Sequence, residues 1–410
     1  MRVLVINCGS SSLKVELLSL DEAADASVER LARGSVSGIG HRATLELEQG
    51  GQSPVRTALE SPSHEAAVRA AIDSLAQAGV LTADPPNGLD AVAHRIVHGG
   101  PRRTEPIIID EAVMRDITAA AELAPLHNDA ALSAIRAVRR LVSATVPMVA
   151  VFDTAFHAAM PERAWRYAIP RDAADALGIR RYGFHGLAHR SMAERCAERM
   201  GRPPASLKLI TLQLGSGCSA AAIAGGRSID TSMGFSPLEG LMMGTRSGDI
   251  DPAIVRFLCE QQGMSVREAE QWLNGQAGLL GVSGASADVR ELLKLESSGH
   301  RHAALALEMF CYRVRKYIGA DLAALGGTDA LVFGGGVGEN SAEIRRRICA
   351  GLEWCGLAID AARNDLSPGA EGEISADGAG VKVFVIKVDE AVLIARDAAA
   401  CVHSRRGAAS

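Results

Sequence analysis

The sequence predicts an α/β protein made of two related domains, and three observations support this prediction. Strand-like and helix-like patterns alternate along the chain, which predicts sheets covered by helices. A strand–turn–strand pattern occurs near Ile6–Ser12 and again near Leu212–Ser219. The 410 residues are enough for two or three domains of ~150 residues each. The repeated hairpins indicate a duplicated domain whose two loops face each other across a cleft.

The elements follow from local patterns in chain order. Short apolar runs predict strands and helical spacing of apolar residues predicts helices, with Ser61-Pro62-Ser63 as a start signal and Gly79, Gly201 and Gly326-Gly327 as stop signals. The predicted strands are Val3–Ile6, Leu13–Leu18, Ala91–Val97, Val146–Phe152, Leu207–Leu214, Ser219–Ala224, Leu331–Phe333 and Val381–Ile386. The predicted helices are His64–Gln77, Asp129–Leu141, Ala188–Met200, Arg301–Leu325, one from about Ser341, and Glu390–Ala399, with a frayed tail from about His403.

Composition and charge exclude several classes of protein. The net charge is -5 and aromatic residues make up 4%, so neither the basic surface nor the stacking platform of a nucleic-acid binder is expected. The apolar runs Val3–Ile6 and Leu141–Phe152 are too short for a signal peptide and a membrane span, respectively. The eight cysteines form no CxxC pair, which favours buried thiols in a reducing compartment. We therefore expect a soluble, cytoplasmic protein.

Three glycine-rich turns offer backbone N–H groups to a ligand. Gly9–Ser12, followed by Lys14, combines N–H groups, hydroxyls and a cation, which are the groups that bind phosphate. Gly215–Gly217 repeats this arrangement, and Gly334–Asn340 follows a strand and leads into a helix, where an anion is favoured. The chain lacks the GxxxxGK(S/T) motif, and the third turn lacks GxGxxG. These turns are therefore either ordinary tight turns or an unusual phosphate and nucleotide site.

Five charged or titratable residues stand in apolar contexts near predicted strand ends or glycine-rich turns: Arg95, His127, Asp153, His185 and Arg246. Each alone is typical of a satisfied structural residue. Together they predict a clamp for a polyanion, because guanidinium groups bind phosphate and carboxylate oxygens in pairs.

Two kinds of metal site are considered, a Mg²⁺ site with a carboxylate ligand and a zinc site with paired histidines. Glu390 opens the last predicted helix, where a carboxylate either complements the helix dipole or, beside phosphates, holds Mg²⁺. The pairs His94/His98 and His185/His189 have the i, i+4 spacing of helical zinc ligands. The first pair falls on a predicted strand and HExxH is absent, so we do not expect zinc.

Eight segments together resemble the acetate kinase family, from residue 1 to about Asp397. They are VINCGSSSLK at 5–14, AHRIVHGG at 93–100, LAPLHN at 123–128, FDTAFH at 152–157, RRYGFHG at 180–186, DTSMGFSPLEGLMMGTRSGDIDPA at 230–253, VFGGGVGENS at 332–341 and IARD at 394–397. The resemblance implies a duplicated ribonuclease-H-like fold, as in actin and sugar kinases, with a central cleft. It implies an N-terminal domain of residues 1–153 completed by 391–410, and a nucleotide-binding domain of residues 154–390.

The resemblance also implies an activity. The family phosphorylates acetate with ATP, reversibly, giving acetyl phosphate and ADP, and depends on Mg²⁺ with Mn²⁺ as an alternative. It implies a homodimer, with no nucleic-acid or membrane partner. A propionate kinase is the close alternative, since one methylene separates the two acids by only ~1–3 kcal/mol. A nucleotide-binding sensor with a decayed site is the alternative from another class.

By motif position, the resemblance implies a role for each candidate residue. Catalysis falls to Asp153, His185, Arg246 and His127. Arg95 binds the carboxylate, and the acyl pocket is lined by Val97, Leu126, Phe184 and Pro237. The ATP contacts are Ser10, Ser12, Lys14, Gln213, Leu214, Gly215, Ser216, Gly217, Asp288, Val289, Arg290, Gly336, Val337, Gly338, Glu339 and Asn340. The Mg²⁺ contacts are Asn7 and Glu390.

Asp153 is expected to orient an arginine or the metal and not to be phosphorylated itself. A carboxylate acceptor is already ionised at pH 7, so the reaction needs no strong general base. Catalysis then depends on in-line positioning and on stabilising the charge of the transferred group.

Two segments depart from the family pattern. QLGSG at 213–217 stands where the family has HLGNG, so both glycines remain while an imidazole and an amide are lost. A lost hydrogen bond costs ~1 kcal/mol, or roughly five- to tenfold in binding, so we expect ATP use to be weakened or retuned rather than abolished. HNDAA at 127–131 lacks the proline of the family's HNPAN, which loosens the turn beside His127. The small residues of GGVGEN at 335–340 favour ATP over pyrophosphate as the donor.

Overall fold

The computed structural model describes residues 1–21, 27–51, 53–60, 62–82, 88–121, 125–365 and 369–409, without the side chains of 125–127 and 406–409. The chain divides into two compact units. Unit 1 consists of Met1–Ala155 and Asp389–Ser410, and unit 2 consists of Phe156–Val388. The predicted domain boundaries, after 153 and after 390, lie within two residues of these divisions. That each unit is an independent domain stays a prediction.

Strands and helices alternate along both units. The strands are β1 Arg2–Cys8, β2 Ser12–Leu20, β3 Val28–Ser37, β4 Ala43–Gln49, β5 Val55–Leu59, β6 Ala91–Ile96, β7 Ile107–Ile108, β8 Met148–Phe152, β9 Lys208–Leu214, β10 Cys218–Ala224, β11 Arg227–Thr231, β12 Ala330–Gly334, β13 Gly372–Glu373 and β14 Lys382–Val385. The helices are α1 His64–Gln77, α2 Glu111–Ala120, α3 Pro125–Leu141, α4 Glu162–Trp165, α5 Arg171–Leu177, α6 Gly186–Met200, α7 Ala253–Gln262, α8 Val266–Gly275, α9 Gly278–Ser283, α10 Val289–Ser297, α11 Arg301–Leu325, α12 Gly335–Asn340, α13 Ala342–Cys349, α14 Ala361–Asn364 and α15 Glu390–Ala409.

Unit 1 contains a mixed sheet that is covered by helices on both faces. Its strand order is β5-β4-β3-β2-β1-β6-β8-β7, with β1, β6 and β8 parallel. Side chains alternate between the faces of a strand, so Leu4 and Ile6 of β1 pack in the core with α1 and α3. Val3 and Val5 are buried on the opposite face, where α15 packs on β1, β6 and β8.

Unit 2 contains a second mixed sheet, with strand order β11-β10-β9-β12-β14-β13. Helix α6 covers one face, where Met192 and Cys196 pack with Leu209 of β9 and Ile223 of β10. Helix α11 packs on β9 and β10 as well. The sheet is therefore built from the same kind of layers as the sheet of unit 1.

The two sheets share a common arrangement of five strands. In unit 1, β3, β2 and β1 are antiparallel neighbours, followed by β6 and β8 parallel to β1. In unit 2, β11, β10 and β9 are antiparallel neighbours, followed by β12 and β14 parallel to β9. The prediction of a duplicated α/β fold of the ribonuclease-H-like kind is confirmed.

Several element boundaries test the local patterns directly. The helices His64–Gln77 and Arg301–Leu325 have the bounds that the sequence predicts, and the Ser63 hydroxyl caps the first of them. Most other predicted boundaries are off by one or two residues, and three differences in helices are larger. Helix α3 starts at Pro125, the glycine run itself forms α12, and α15 continues to Ala409 instead of ending at Ala399. A helix extends where packing on a neighbour stabilises it, and such packing is not encoded locally.

Two further features concern the whole of the described chain. In those residues, no helix combines the length and the apolar character that a membrane crossing requires. All eight cysteines are free thiols, and five of them, Cys8, Cys196, Cys218, Cys311 and Cys349, are buried. This agrees with the prediction that most act as small apolar residues. Burial raises the pKa of the Cys8 thiol to about 12, so the thiol stays protonated at neutral pH.

Candidate active site

Three polar side chains of unit 1 lie on one face of the sheet, at the ends of parallel strands. Asn7 near the end of β1 pairs with Arg95 near the end of β6. Arg95 pairs in turn with Val151 of β8, and Asp153 directly follows that strand. Because side chains alternate, all three share the face that α15 covers. Glu390 is the first residue of α15, the helix that covers this face. The four predicted residues Asn7, Arg95, Asp153 and Glu390 therefore come together.

Arg95 is the centre of this group. Its Nη2 lies 2.5 Å from Asp153 Oδ2, and its Nε lies 3.4 Å from Oδ1 of the same carboxylate. Its Nη1 donates to Asn7 Oδ1 at 3.1 Å, and its Nε lies 3.5 Å from Glu390 Oε2. Burial by itself lowers the pKa of Arg95, but Asp153 and Glu390 raise it above its ordinary value. The guanidinium therefore stays charged although it is nearly enclosed.

The β1–β2 hairpin carries the first predicted phosphate loop. Gly9 N donates to Ser12 O at 2.8 Å, and the side chains of Ser10 and Ser12 are exposed. Lys14 is the cross-strand neighbour of Asn7 and is also exposed. Among the described residues its ammonium group has no hydrogen-bond or ion-pair partner. The hairpin thus presents hydroxyls and one uncommitted cation beside the Arg95 group.

The turn after β6 contains Val97 and is held from two sides. The buried side chain of Asn128 accepts from His98 N at 3.1 Å and donates to His98 O at 3.0 Å. Thr154, next to Asp153, accepts from Gly99 N at 3.2 Å. Val97 is therefore fixed relative to the strand end that bears Asp153.

The remaining acyl-pocket candidates are divided over the chain. Val97 is buried in unit 1, whereas Phe184 is buried and Pro237 is half-buried in unit 2. Leu126 and His127 lie in the first turn of α3, and their side chains fall outside the described residues. That these residues form one pocket stays a prediction.

His185 of unit 2 has an unusual backbone. It precedes α6 with φ 57°, and it is the one non-glycine residue at positive φ in the ranges that the structure describes. Such a conformation is costly and is typical of functional sites. A Cβ placed on Gly217 would lie 3.3 Å from His185 Cε1 and 3.6 Å from Arg246 Nη1. The imidazole and the guanidinium therefore border the same glycine loop.

The loop that carries Arg246 is fixed by backbone contacts with α9. Arg246 Nη1 donates to Pro237 O at 3.1 Å, and Leu279 N donates to Met243 O at 2.9 Å. Gly278 begins α9 at φ 61°, and a Cβ there would lie 2.2 Å from Met243 O. Only glycine permits this approach. Burial lowers the pKa of Arg246 from its ordinary value, yet an arginine remains a cation at neutral pH.

The second predicted phosphate loop closes the β9–β10 hairpin directly after the buried Leu214. Gly215 N donates to Gly217 O at 3.0 Å, and Ser216 is exposed at the tip. Gln213 lies on β9, and its Oε1 is buried without a hydrogen-bond partner among the described residues. Gln213 thus leaves one polar atom of the hairpin unsatisfied.

Two further segments carry predicted ATP contacts. Asp288 caps α10, and its Oδ2 lies 2.5 Å from Nη2 of the exposed Arg290; this hydrogen bond holds the pKa of Asp288 at about 2. Val289 between them is buried.

The glycine run that forms α12 carries the other predicted contacts. Glu339 Oε1 accepts from Gly335 N at 3.0 Å, so this carboxylate is turned toward the backbone. The rest of the run, from Gly336 through Val337 and Gly338 to Asn340, forms the same short helix, and a Cβ on Gly336 would meet open space.

Known proteins match this chain over almost its whole length. A family model described as "Acetokinase family" matches residues 2–396. An acetate kinase of Chloroherpeton thalassium is 43% identical over 414 residues, covering 98% of this chain and 99% of that protein. This chain belongs to the acetokinase family. The predictions of the family and of a kinase are thereby confirmed.

Two solved structures extend the comparison to the fold. The crystal structure of Porphyromonas gingivalis acetate kinase is 39% identical, with a TM-score of 0.87 over 98% of this chain and 99% of that chain. The crystal structure of a propionate kinase from Francisella tularensis is 36% identical, with a TM-score of 0.88 over 97% and 98% of the two chains. The roles of individual residues in this acetokinase-family chain stay predictions.

Sequence reasoning missed residues that support the candidate loops. Arg345 is buried, and its guanidinium donates to Gly338 O at 2.8 Å and to Glu339 O at 3.0 Å. Asn128 holds the Val97 turn, although it lies inside the LAPLHN segment. The spacing of His185 and His189 is visible in the sequence, but there it indicates only a possible metal pair. The structure places Ser219 between them instead.

Proposed function

We propose that this chain transfers a phosphoryl group from ATP to acetate, giving acetyl phosphate and ADP, and that the reaction is reversible. The observation that carries the proposal is Arg95, a charged guanidinium held at a strand end in a chain of the acetokinase family. A guanidinium has five N–H donors, and three of them contact Asn7, Asp153 and Glu390. The remaining two suit both oxygens of a small carboxylate.

In this proposal Asp153 positions Arg95 and accepts no phosphoryl group. Both of its oxygens face the guanidinium, and the carboxylate is 1% exposed. Acetate is ionised at pH 7 and needs no strong base to attack. The barrier is then lowered by in-line positioning and by stabilisation of charge on the transferred group.

The groups of unit 2 serve the phosphoryl donor. His185 and Arg246 border the Gly215–Gly217 loop and stabilise the charge of the transferred group, because donors fixed in advance need no reorganisation. ATP is held by backbone N–H groups of this loop and of Gly336–Asn340, with the exposed Arg290 as a cation, and Lys14 of unit 1 is proposed as a second exposed cation. The acyl group contacts Val97, Leu126, Phe184 and Pro237, and His127 assists catalysis.

A divalent ion fits the donor atoms that unit 1 offers. Glu390 supplies one carboxylate and Asn7 one amide oxygen, and both contact Arg95. Mg²⁺ prefers one or two carboxylates and takes its other ligands from phosphates and water. Among the described residues no cluster of three or more His, Cys, Asp or Glu could hold a metal, so the phosphates would complete the shell. We assign Mg²⁺ to these residues, with Mn²⁺ as a substitute, to neutralise phosphate charge.

The family resemblance further supports a homodimer that works in the cytoplasm. Sedimentation of the purified chain tests the first point, and a fluorescent fusion in the source cells tests the second.

A hydroxamate-trapping assay tests the activity. Purified protein is incubated with ATP, Mg²⁺, hydroxylamine and acetate, propionate or butyrate in parallel. We expect acetyl hydroxamate from the natural chain and a loss of ~10²–10³-fold in kcat for Arg246→Ala, as for removal of one transition-state donor. The matched control is Arg256→Ala, because Arg256 is an exposed arginine on α7 whose partner is Glu260. Full activity of Arg246→Ala would contradict the assigned role.

Propionate phosphorylation is the second candidate, favoured by the similarity to the propionate kinase of Francisella tularensis. A higher kcat/KM for propionate than for acetate in the same assay would replace acetate as the proposed substrate. If no hydroxamate forms from any of the three acids while ATP still binds, both kinase activities are rejected and the nucleotide-binding sensor is favoured.

A further inference from the structure

A chain of hydrogen bonds leads from His185 into the core of unit 2. His185 Nδ1 lies 2.9 Å from Ser219 Oγ, and the same oxygen lies 2.8 Å from His189 Nε2. His189 Nδ1 lies 2.7 Å from Thr211 Oγ1. The two histidines are one helical turn apart at the start of α6. Ser219 and Thr211 lie on the face of the sheet that α6 covers.

The number of protons that these four side chains carry determines which atom donates in each of their hydrogen bonds. His189, Ser219 and Thr211 are each 0% exposed, so water does not complete their hydrogen bonding. A hydroxyl carries one proton, and a neutral imidazole carries one N–H. Within the described residues, the Thr211 hydroxyl has no hydrogen-bond partner other than His189 Nδ1. Thr211 therefore donates to Nδ1, and His189 carries its proton on Nε2.

The proton on His189 Nε2 in turn fixes the direction of the hydrogen bond between Ser219 and His185. His189 Nε2–H donates to Ser219 Oγ, so the single proton of Ser219 is directed to His185 Nδ1. The reverse direction would leave the buried Thr211 hydroxyl without an acceptor, which carries a full desolvation penalty. Burial, followed by the nearby His157 and His185, lowers the pKa of His189 well below its ordinary value. A cationic His189 would donate from both nitrogens, and the proton of Ser219 Oγ would still be directed to His185 Nδ1.

We propose that Thr211, His189 and Ser219 are positioning residues that hold neutral His185 as the tautomer with its proton on Nε2. In one respect this rests on the proposed function: an N–H at Nε2 is the form that donates to an oxygen of the transferred phosphoryl group. The other tautomer would turn a lone pair toward those oxygens. The sheet thus selects the chemical form of a side chain that lies outside it.

The test compares two buried serines of the same sheet. Ser219→Ala removes the hydroxyl that donates to His185. Ser228→Ala is the matched control, because Ser228 is also 0% exposed and its Oγ lies 2.8 Å from His157 Nδ1. The proton of His157 is set independently by Phe184 O, 3.1 Å from its Nε2. Ser219→Ala loses its hydrogen bonds to His185 and His189, and Ser228→Ala loses its hydrogen bonds to His157 and Asp230 O. Each variant loses two contacts, so similar losses of thermal stability are expected.

Two-bond ¹H–¹⁵N NMR spectra of histidine-labelled protein report the tautomer, with the His185 signals assigned by their loss in His185→Gln. We expect the Nε2–H form of His185 in the natural chain and in Ser228→Ala, and a mixture of both forms in Ser219→Ala. We also expect kcat to fall roughly five- to tenfold in Ser219→Ala alone, with KM for ATP unchanged within about twofold, as for one lost hydrogen bond.

Two results would overturn the inference: an Nδ1–H form of His185 in the natural chain, or equal kcat values for the two serine variants. A natural chain that phosphorylates acetate with the wrong tautomer removes this inference and leaves the proposed function intact. A natural chain that phosphorylates no acid removes the proposed function, while the spectra still decide the tautomer.

Discussion

The two units place very different residues at equivalent positions of the same strand arrangement. In unit 1 the neighbours Asn7 and Arg95 pair across β1 and β6. In unit 2 the equivalent pair across β9 and β12 is Gln213 and Gly334. A Cβ on Gly334 would lie 2.4 Å from Met192 Sδ, so a long side chain has no room there. The central strands of unit 1 therefore end with a charged side chain, whereas β12 of unit 2 ends with a glycine against which helix α6 packs.

This difference predicts different ways for the two units to fail. The largely enclosed charge of Arg95 depends on paired groups, since an unpaired charge that is shielded from water is strongly unfavourable. The loops of unit 2 depend on glycines and backbone hydrogen bonds, so added volume should disturb them more than altered charge. The same strand arrangement thus carries different chemical groups in the two units, because the residues at and beyond the strand ends decide the local chemistry.

The largest effect is expected for Asp153→Asn in unit 1. The amide keeps the shape but leaves Arg95 without its main counter-charge, so we expect a loss of about 3 kcal/mol in the free energy of unfolding. We also expect kcat/KM for acetate to fall ~10²-fold or more, because a fixed donor loses its orientation. Thermal melting and the hydroxamate assay measure the two effects.

The control for this variant is Glu65→Gln, which neutralises one partner of the exposed pair with Arg140. Such surface pairs contribute ~1 kcal/mol or less. Equal melting temperatures for the two variants would show that the Arg95 group does not depend on its charge.

The next effect is expected for Gly278→Ala in unit 2. The new Cβ would meet Met243 O at 2.2 Å and Arg246 O at 2.7 Å, so the Arg246 loop has to shift. A displacement of about 1 Å can lower kcat ~10²-fold, and we expect a loss of this order without any change to Arg246 itself.

Gly263→Ala separates this steric effect from backbone strain. Gly263 has a similar φ of 66°, but a Cβ there would meet no atom within 4 Å. We expect it to lose only ~1–2 kcal/mol of stability, from the left-handed backbone, with normal kcat. If both glycine variants have the same kcat, the steric account of the Arg246 loop is wrong.

Acid should destabilise unit 1 through His94, which lies beside Arg95 on the opposite face of β6. Burial, with a smaller contribution from Arg139, lowers the pKa of His94 to about 3, against about 6.5 in an unfolded chain. The unfolded state therefore binds more protons at acidic pH. The stability that neutral His94 contributes is complete above pH ~6.5 and is lost as the pH falls toward the folded value.

His94→Leu should flatten this dependence. Between pH 6 and 4.5 we expect the free energy of unfolding to fall less steeply than in the natural chain, by up to ~1.4 kcal/mol per pH unit. Denaturant unfolding at several pH values measures the slope. Parallel curves for the two proteins would contradict the prediction.

The smallest effect is expected for Gln213→His, which introduces the residue that the family resemblance predicts at this position. The present amide leaves Oε1 buried without a partner among the described residues, so an imidazole that bonds to ATP should lower KM for ATP roughly five- to tenfold. Gln261→His, on the exposed surface of α7, serves as the control. An unchanged KM in Gln213→His would show that the loop acts through its backbone alone.

Local patterns predicted much of the fold, and three neighbouring strands that they missed share a cause. Helix α1 was predictable because Ser63 caps it and apolar residues repeat at helical spacing. Strands β3, β4 and β5 were not predicted. Charged residues such as Arg33, Glu46 and Arg56 stand on their exposed faces, which weakens the apolar pattern. Such strands are held by their neighbours in the sheet rather than by their own composition.

The sequence by itself determined the α/β class, the duplicated hairpins, the glycine turns and the kinds of chemical group at the site, because each is encoded by neighbouring residues. Only the tertiary structure decided the partners. Arg95 meets Asp153 and Asn7, which are 58 and 88 residues away in the chain, and Ser219 lies between His185 and His189. Strand register and helix packing bring such distant groups within hydrogen-bond distance, and neither is encoded in any one segment.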